Sequence, residues 1–205
     1  DLTPELENYT IASYLHSKTN GDLQKVIACN PANIFSPYAG VACAQLAREK
    51  ARGSGFFTVQ NIMPSPQTKI KQLQFINTMT WKASDTLTVK NIFGYARYRQ
   101  DYRTELFGAD FQLTGPADAF WFASNSPAPG KSTSHQYTLS DELQFQGGSQ
   151  DGKLVWQAGA YVEISRPLSR LNGNYTPNNA HCSDALNLVC FSPLGFGINN
   201  YTVNS

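Results

Sequence analysis

Between Leu73 and Ser165 apolar and polar positions alternate in four long runs. Leu73, Phe75, Met79 and Trp81 share one side with Asn77 as the exception, while Gln72, Gln74, Thr78, Thr80 and Lys82 take the other. After Ser84-Asp85, the residues Leu87, Val89, Phe93 and Tyr95 share a side with Asn91. Tyr137, Leu139, Leu143 and Phe145 then oppose Gln136, Thr138, Ser140, Glu142, Gln144 and Gln146, with Asp141 interrupting the apolar side. A turn at Gln150-Asp151-Gly152 leads to Leu154, Trp156, Ala158, Ala160, Val162 and Ile164, opposed by Lys153, Gln157, Gly159 and Glu163. Period-two alternation of this kind belongs to a strand with one apolar and one polar face. A weaker run near the start sets Tyr9, Ile11, Ser13 and Leu15 against Asn8, Thr10, Ala12, Tyr14 and His16.

The alternation predicts strands at about 7–17, 70–83, 86–103, 135–147 and 153–165, with long loops at about 18–69, 104–134 and 166–205. A tilted membrane-crossing strand needs only ~9–11 residues. The short turns, Ser84-Asp85 and Gln150–Gly152, alternate with the long connections and so fall on one side of the sheet. That sorting is the pattern of an outer-membrane barrel wall with its short turns in the periplasm. The expected fold is all-β: an antiparallel meander of long amphipathic strands, part of a transmembrane β-barrel, with long disulfide-bearing extracellular loops. Gly40 to Ala51 is rich in helix formers and predicts one short loop helix ending at Arg52-Gly53.

Composition changes this picture little. A hydrophobic content of 41% is ordinary for a soluble protein, but a barrel wall hides its apolar residues at every second position. No apolar run approaches the ~18 residues of a membrane helix. The net charge of +1 gives no electrostatic footprint for nucleic acid. Tyr and Trp suit membrane interfaces, although a tyrosine-rich β-sandwich accounts for the 12% aromatic content nearly as well. The chain opens Asp1-Leu2-Thr3-Pro4-Glu5 with no leader, and Tyr201 to Ser205 is not an aromatic-ended final strand, so a segment of a longer protein is expected.

Candidate chemistry is sparse. His16, His135 and His181 are scattered, Asp141 and Glu142 point to opposite faces of a strand, and no hydrolase, metalloprotease or phosphate-loop motif occurs. No enzyme activity and no cofactor is expected. The four cysteines lie in predicted loops without Cys-x-x-Cys spacing, which favours disulfides over a metal site. They allow three connectivities, of which the local pairs Cys29–Cys43 and Cys182–Cys190 are expected.

Three segments carry a family likeness: Phe75 to Arg97, Tyr137 to Gly147, and Gly152 to Val162. Together they resemble the barrel of TonB-dependent outer-membrane receptors. In that family a strand ending near Gly-Tyr-Arg precedes a long loop, followed by a Ser-x-Glu-Leu strand and a Gly-Lys-Leu-x-Trp-x-Ala-Gly hairpin. Here Gly94-Tyr95-Ala96-Arg97 carries one extra residue. The likeness covers roughly Leu73 to Ile164 and lacks the plug domain, the energy-coupling box and the terminal strand.

The resemblance implies the outer membrane of a Gram-negative bacterium, contact with outer-membrane lipid, and coupling to the TonB complex through parts outside this chain. It also implies energy-coupled uptake of a ferric siderophore or another large nutrient. On that reading Arg97, Arg99, Tyr102 and Arg103 at the outer rim become candidates for catching an anionic siderophore, the alternative being ordinary interfacial residues. Phe120-Trp121-Phe122 becomes a loop tip for stacking on a ligand, the alternative being aromatics that order their own loop. The rival expectation is a secreted or self-assembling β-rich module without transport activity. A free segment would then self-associate through its strand edges, and the sequons at Asn8, Asn174 and Asn200 would matter.

Overall fold

The structure, a computed structural model, describes residues 3–21, 24–32, 38–60, 62–63, 65–121, 123–127, 130–168, 173–176, 180–184, 187, 189–195 and 201–202. Phe122 lies outside them. The described residues form mostly antiparallel β-sheet, with one α-helix and two disulfides among them. The chain divides into two compact units. One, the sheet unit, holds Asp1–His16, Ile70–Arg99 and Ser134–Ser169. The other, the loop unit, holds Ser17–Lys69, Gln100–Thr133 and Arg170–Ser205.

The sheet unit is built on β1 (Leu6–Thr19), β2 (Gln67–Ser84), β3 (Leu87–Glu105), β5 (Ser134–Gly148) and β6 (Val155–Pro167). They lie in the order β1-β2-β3-β5-β6. Among the described residues β1 pairs only with β2 and β6 only with β5, so the sheet is open at both edges. The β5–β6 ladder places Leu139 beside Ile164, Leu143 beside Ala160, Phe145 beside Ala158 and Gly147 beside Trp156. Gly147 is required there, because the Trp156 indole occupies the space a β-carbon would take.

Both short connections sit at the same end of this unit. Asp85 and Thr86 turn β2 into β3, and the Gly148 N–H donates to the Thr86 carbonyl at 3.1 Å. The β5–β6 connection closes through Ser149 N–H to the Leu154 carbonyl at 2.9 Å, with Gly152 at φ 69°. The Asp151 carboxylate accepts from the Ser149 hydroxyl at 2.5 Å and from the Lys153 N–H at 3.3 Å.

Every predicted long loop contributes to the loop unit, which has a core of its own. Ala109, Phe111, Phe120, Trp121, Ala180 and Cys182 are buried together, with Tyr38, Val41, Ala42, Ile62, Cys190 and Leu194 packed against them. Helix α1 spans Ala39–Ala51 and ends with Arg52 N–H on the Arg48 carbonyl and Gly53 at φ 70°. Its two buried residues, Gln45 and Glu49, are polar. Gln45 donates to the Gly108 carbonyl at 2.8 Å and accepts from the Asp110 N–H at 2.9 Å.

Short strands complete this unit. β4 (Ser124–Pro127) pairs the end of β3 through Thr104↔Asn125 and Glu105↔Ser124, and also pairs β7 (Gly173–Thr176). β7 pairs β10 (Tyr201–Thr202), while β8 (His181–Asp184) pairs β9 (Val189–Phe191). One disulfide joins Cys29 to Cys43 of α1. The other joins Cys182 to Cys190, which are directly opposed in the β8–β9 ladder.

Candidate functional site

The candidate site is a surface: the two faces of the sheet unit. Cross-strand contacts determine which residues share a face. Asn77 donates to Asn8 Oδ1 at 2.9 Å and to Thr10 Oγ1 at 2.7 Å. Phe75 packs edge-on against Phe93 with ring centroids 6.4 Å apart. Tyr95 stacks with Tyr137 at 6.4 Å, and Asn91 donates to Asp141 Oδ1 at 2.5 Å. The apolar sides of β2, β3, β5 and β6 are therefore one continuous face, with Asn8, Thr10 and Tyr14 of β1 on the same side. Tyr9, Ile11 and Leu15 fall on the opposite side of β1.

This apolar face is uncovered. No described residue of the sheet unit is buried. Leu73, Phe75, Met79, Trp81, Leu143, Phe145, Trp156, Val162 and Ile164 are all exposed. The polar interruptions at Asn77, Asn91 and Asp141 are matched across strands, which local alternation did not reveal.

The face is banded along the strands. Trp81 and Trp156 stand toward the short turns, Tyr14, Tyr95 and Tyr137 toward the far end, and aliphatic and phenylalanine side chains lie between. The opposite face carries hydrogen-bonded polar side chains. Thr138 meets Ser165 at 2.5 Å, Gln144 donates to Glu142 at 2.6 Å, and Tyr161 donates to Glu163 at 2.5 Å.

The predicted rim cluster is divided between the two units. Arg97 and Arg99 line a cleft in the sheet unit with Tyr14, Lys71, Gln72 and Leu73. Arg97 Nε donates to His135 Nε2 at 3.1 Å, which fixes the guanidinium. Tyr102 and Arg103 belong to the loop unit. The Tyr102 N–H donates to Thr133 Oγ1 at 2.9 Å.

Arg103 is not a ligand donor at an open rim. It is 8% exposed, and its guanidinium donates to Ser126 Oγ at 3.2 Å and to the Ser65 carbonyl at 3.2 Å. Burial lowers its pKa, and the neighbouring Asp101 carboxylate opposes that shift. Phe120 and Trp121 also differ from the expectation of a ligand-stacking tip. At 0% and 1% exposure they are the centre of the loop-unit core, bridged to Phe111 and Ala180. Their apolar area found distant partners within the loops, which a local reading of the sequence does not contain.

Sequence reasoning missed Tyr14 and Lys71 as neighbours of the two arginines. The signal was present in alternation, since Lys71 precedes Leu73 on the apolar side of β2. Among the described residues no group of His, Cys, Asp and Glu has metal-site geometry. The chain matches no protein-family model, no curated protein and no solved structure.

Proposed function

We propose that this chain is part of the barrel wall of a TonB-dependent outer-membrane receptor for energy-coupled uptake of a ferric siderophore or similar large nutrient. The observation that carries the reading is an uncovered apolar sheet face backed by a polar one, in a layer where no described residue is buried. Water makes such a layer unfavourable, since each exposed apolar Å2 costs about 25 cal/mol. Lipid on one face and an aqueous lumen on the other remove that cost.

The banding supports the same reading. Tyr137 and Gly147, which pairs with Trp156, are ten residues apart on β5. That separation is about 33 Å along a strand and about 25 Å across a bilayer at a ~40° tilt, the height of an outer-membrane apolar band. Aromatic side chains at both limits match interfacial girdles. Five strands with free edges enclose no lumen, so the receptor requires further strands, and its plug and TonB contact lie outside this chain. The nutrient would be selected by surfaces other than Arg103, Phe120 and Trp121, which the loop-unit core absorbs.

The open edges of β1 and β6 also suit a second reading, a secreted β-module that assembles edge to edge and covers its apolar faces with copies of itself. Single introduced cysteines separate the two, because the described native cysteines are in disulfides. On the transport reading, Phe93→Cys and Leu143→Cys react poorly with a water-soluble maleimide in membranes and are quenched by lipid-phase quenchers. Thr138→Cys and Gln144→Cys label from water. Equal labelling of both faces in membrane-extracted protein sinks the barrel wall.

A further inference from the structure

The apolar face is electrically lopsided. All its cationic side chains in the sheet unit (Lys71, Arg97, Arg99 and Arg166, with His16 and His135) fall at the end away from the short turns. Among the described strand residues of this face in the sheet unit the carboxylate is Asp141, which lies in the middle of the band and is bonded to Asn91. At the opposite end, Asp85 in the β2–β3 turn lines a cleft with Trp156. Further along β3 the next acid is Asp101, in the loop unit, acting on Arg103.

Three of these cations converge. Lys71, Arg97 and Arg99 line one cleft with Tyr14, Gln72 and Leu73, enclosing about 390 Å3, within the ~300–1,000 Å3 of small-molecule sites. The His135 ring nitrogen, 3.1 Å from Arg97 Nε and 3.0 Å from its Nη2, orients the guanidinium. Guanidinium groups bind phosphate through paired, directed hydrogen bonds, and an ammonium and a phenol add donors. Leu73 continues the cleft into the apolar band.

We propose that this cleft binds the phosphate of a lipid headgroup whose acyl chains lie along the apolar face. The inference rests on the membrane reading above and adds a lipid site to it. A free phosphate anion has the same head chemistry. The lipid is favoured because the cleft opens onto the uncovered apolar face, where acyl chains gain contacts that inorganic phosphate does not. Arg97 and Arg99 thereby serve lipid on the outer surface, and the polar face opposite is left to the nutrient.

The test uses the membrane-extracted protein, with any further strands it carries, reconstituted into vesicles of mixed phosphatidylcholine and phosphatidylglycerol. Lipid retained after detergent extraction is counted by mass spectrometry, and insertion is read from quenching of tryptophan fluorescence by brominated lipid. The wild-type chain is expected to retain phosphatidylglycerol over phosphatidylcholine by roughly tenfold. The variant K71Q/R97Q/R99Q loses that preference. The exposed single change Lys71→Glu cuts it about threefold, which keeps the test usable if the triple variant folds poorly.

A control, K82Q/K90Q, neutralises two cations of the opposite face and keeps the preference. Insertion without headgroup preference, or equal loss in the control, overturns the lipid site while the barrel reading stands. Release of the lipid by millimolar inorganic phosphate identifies a free-anion site and overturns the lipid assignment. Absence of the protein from the membranes of the cells that make it overturns the membrane reading and the lipid site with it.

Discussion

Asn91 and Asp141 stand among Phe93, Leu139, Leu143 and Val162 on a face that is otherwise apolar at that height. Their partnership at 2.5 Å satisfies one carboxylate oxygen, and the Asn91 amide also reaches the Glu142 carbonyl at 3.3 Å. In lipid an unmatched polar group has no water to turn to. Asn91→Val therefore leaves a carboxylate without its donor and is expected to cost about 2 kcal/mol. Asp141→Leu costs less, about 1 kcal/mol, because the amide keeps its backbone acceptor. The double variant recovers most of both losses. Denaturant unfolding in vesicles measures this cycle, and additive losses in the double variant would show that the pair is not coupled. Arg103 makes a contrasting case at the same scale. Its sequence position suggests a rim, whereas its hydrogen bonds to Ser126 and Ser65 place it inside.

At the scale of elements, the long strands and α1 were legible because their signals are local. Alternation predicted β2 at about 70–83, and the strand runs Gln67–Ser84; helix formers predicted Gly40 to Ala51, and α1 runs Ala39–Ala51. β4, β7, β8, β9 and β10 were not foreseen. They are two to four residues long, and each is stabilised by a partner strand rather than by its own pattern. Disulfides matter most in such structure. Closing loops with sequence separations of 14 and 8 removes unfolded-state entropy worth about 3 and about 2.5 kcal/mol. Reduction is expected to speed proteolysis of the loop unit, while amide protection in β2 and β3 between Ile70 and Arg99 is retained. Parallel loss of protection in both units, followed by hydrogen exchange, would show that the disulfides stabilise the sheet as well.

Over the whole molecule, stability comes from two different sources. The loop unit has an apolar core, and the sheet unit has ladders and an uncovered face. Titration reports on the loop unit. Burial raises the Glu105 carboxyl pKa, against the N–H groups of Phe107, Ala109 and Gly108. Its contribution is fully present below the ordinary Glu value of about 4.3 and is lost as pH rises through the raised folded value. For Asp118 burial acts upward, but the Thr114 hydroxyl and the N–H groups of Thr114, Gly115 and Leu113 outweigh it and hold the carboxyl low. Its contribution is present above the ordinary Asp value of about 3.9 and is lost as pH falls through the depressed folded value. The loop unit is therefore expected to be most stable at mildly acid pH. Thermal unfolding against pH should show Asp118→Asn removing part of the acid-side fall and Glu105→Gln removing part of the fall toward neutrality. An unchanged profile in both variants would refute these assignments.

The sequence by itself determined the long strands, the side each residue takes within its own strand, the two tight turns and the helix. These follow from backbone geometry and neighbours a few residues away. Much of the candidate surface was legible for the same reason, since Leu73, Phe75, Met79 and Trp81 are set on one side by alternation alone. The tertiary structure decided how strands line up, so that Asn77 meets Asn8 and Thr10 and Asn91 meets Asp141. It also decided that the long loops share one core around Phe120 and Trp121 and that Arg103 is enclosed. Those outcomes depend on segments far apart in the chain meeting and excluding water, and no local pattern specifies which ones meet.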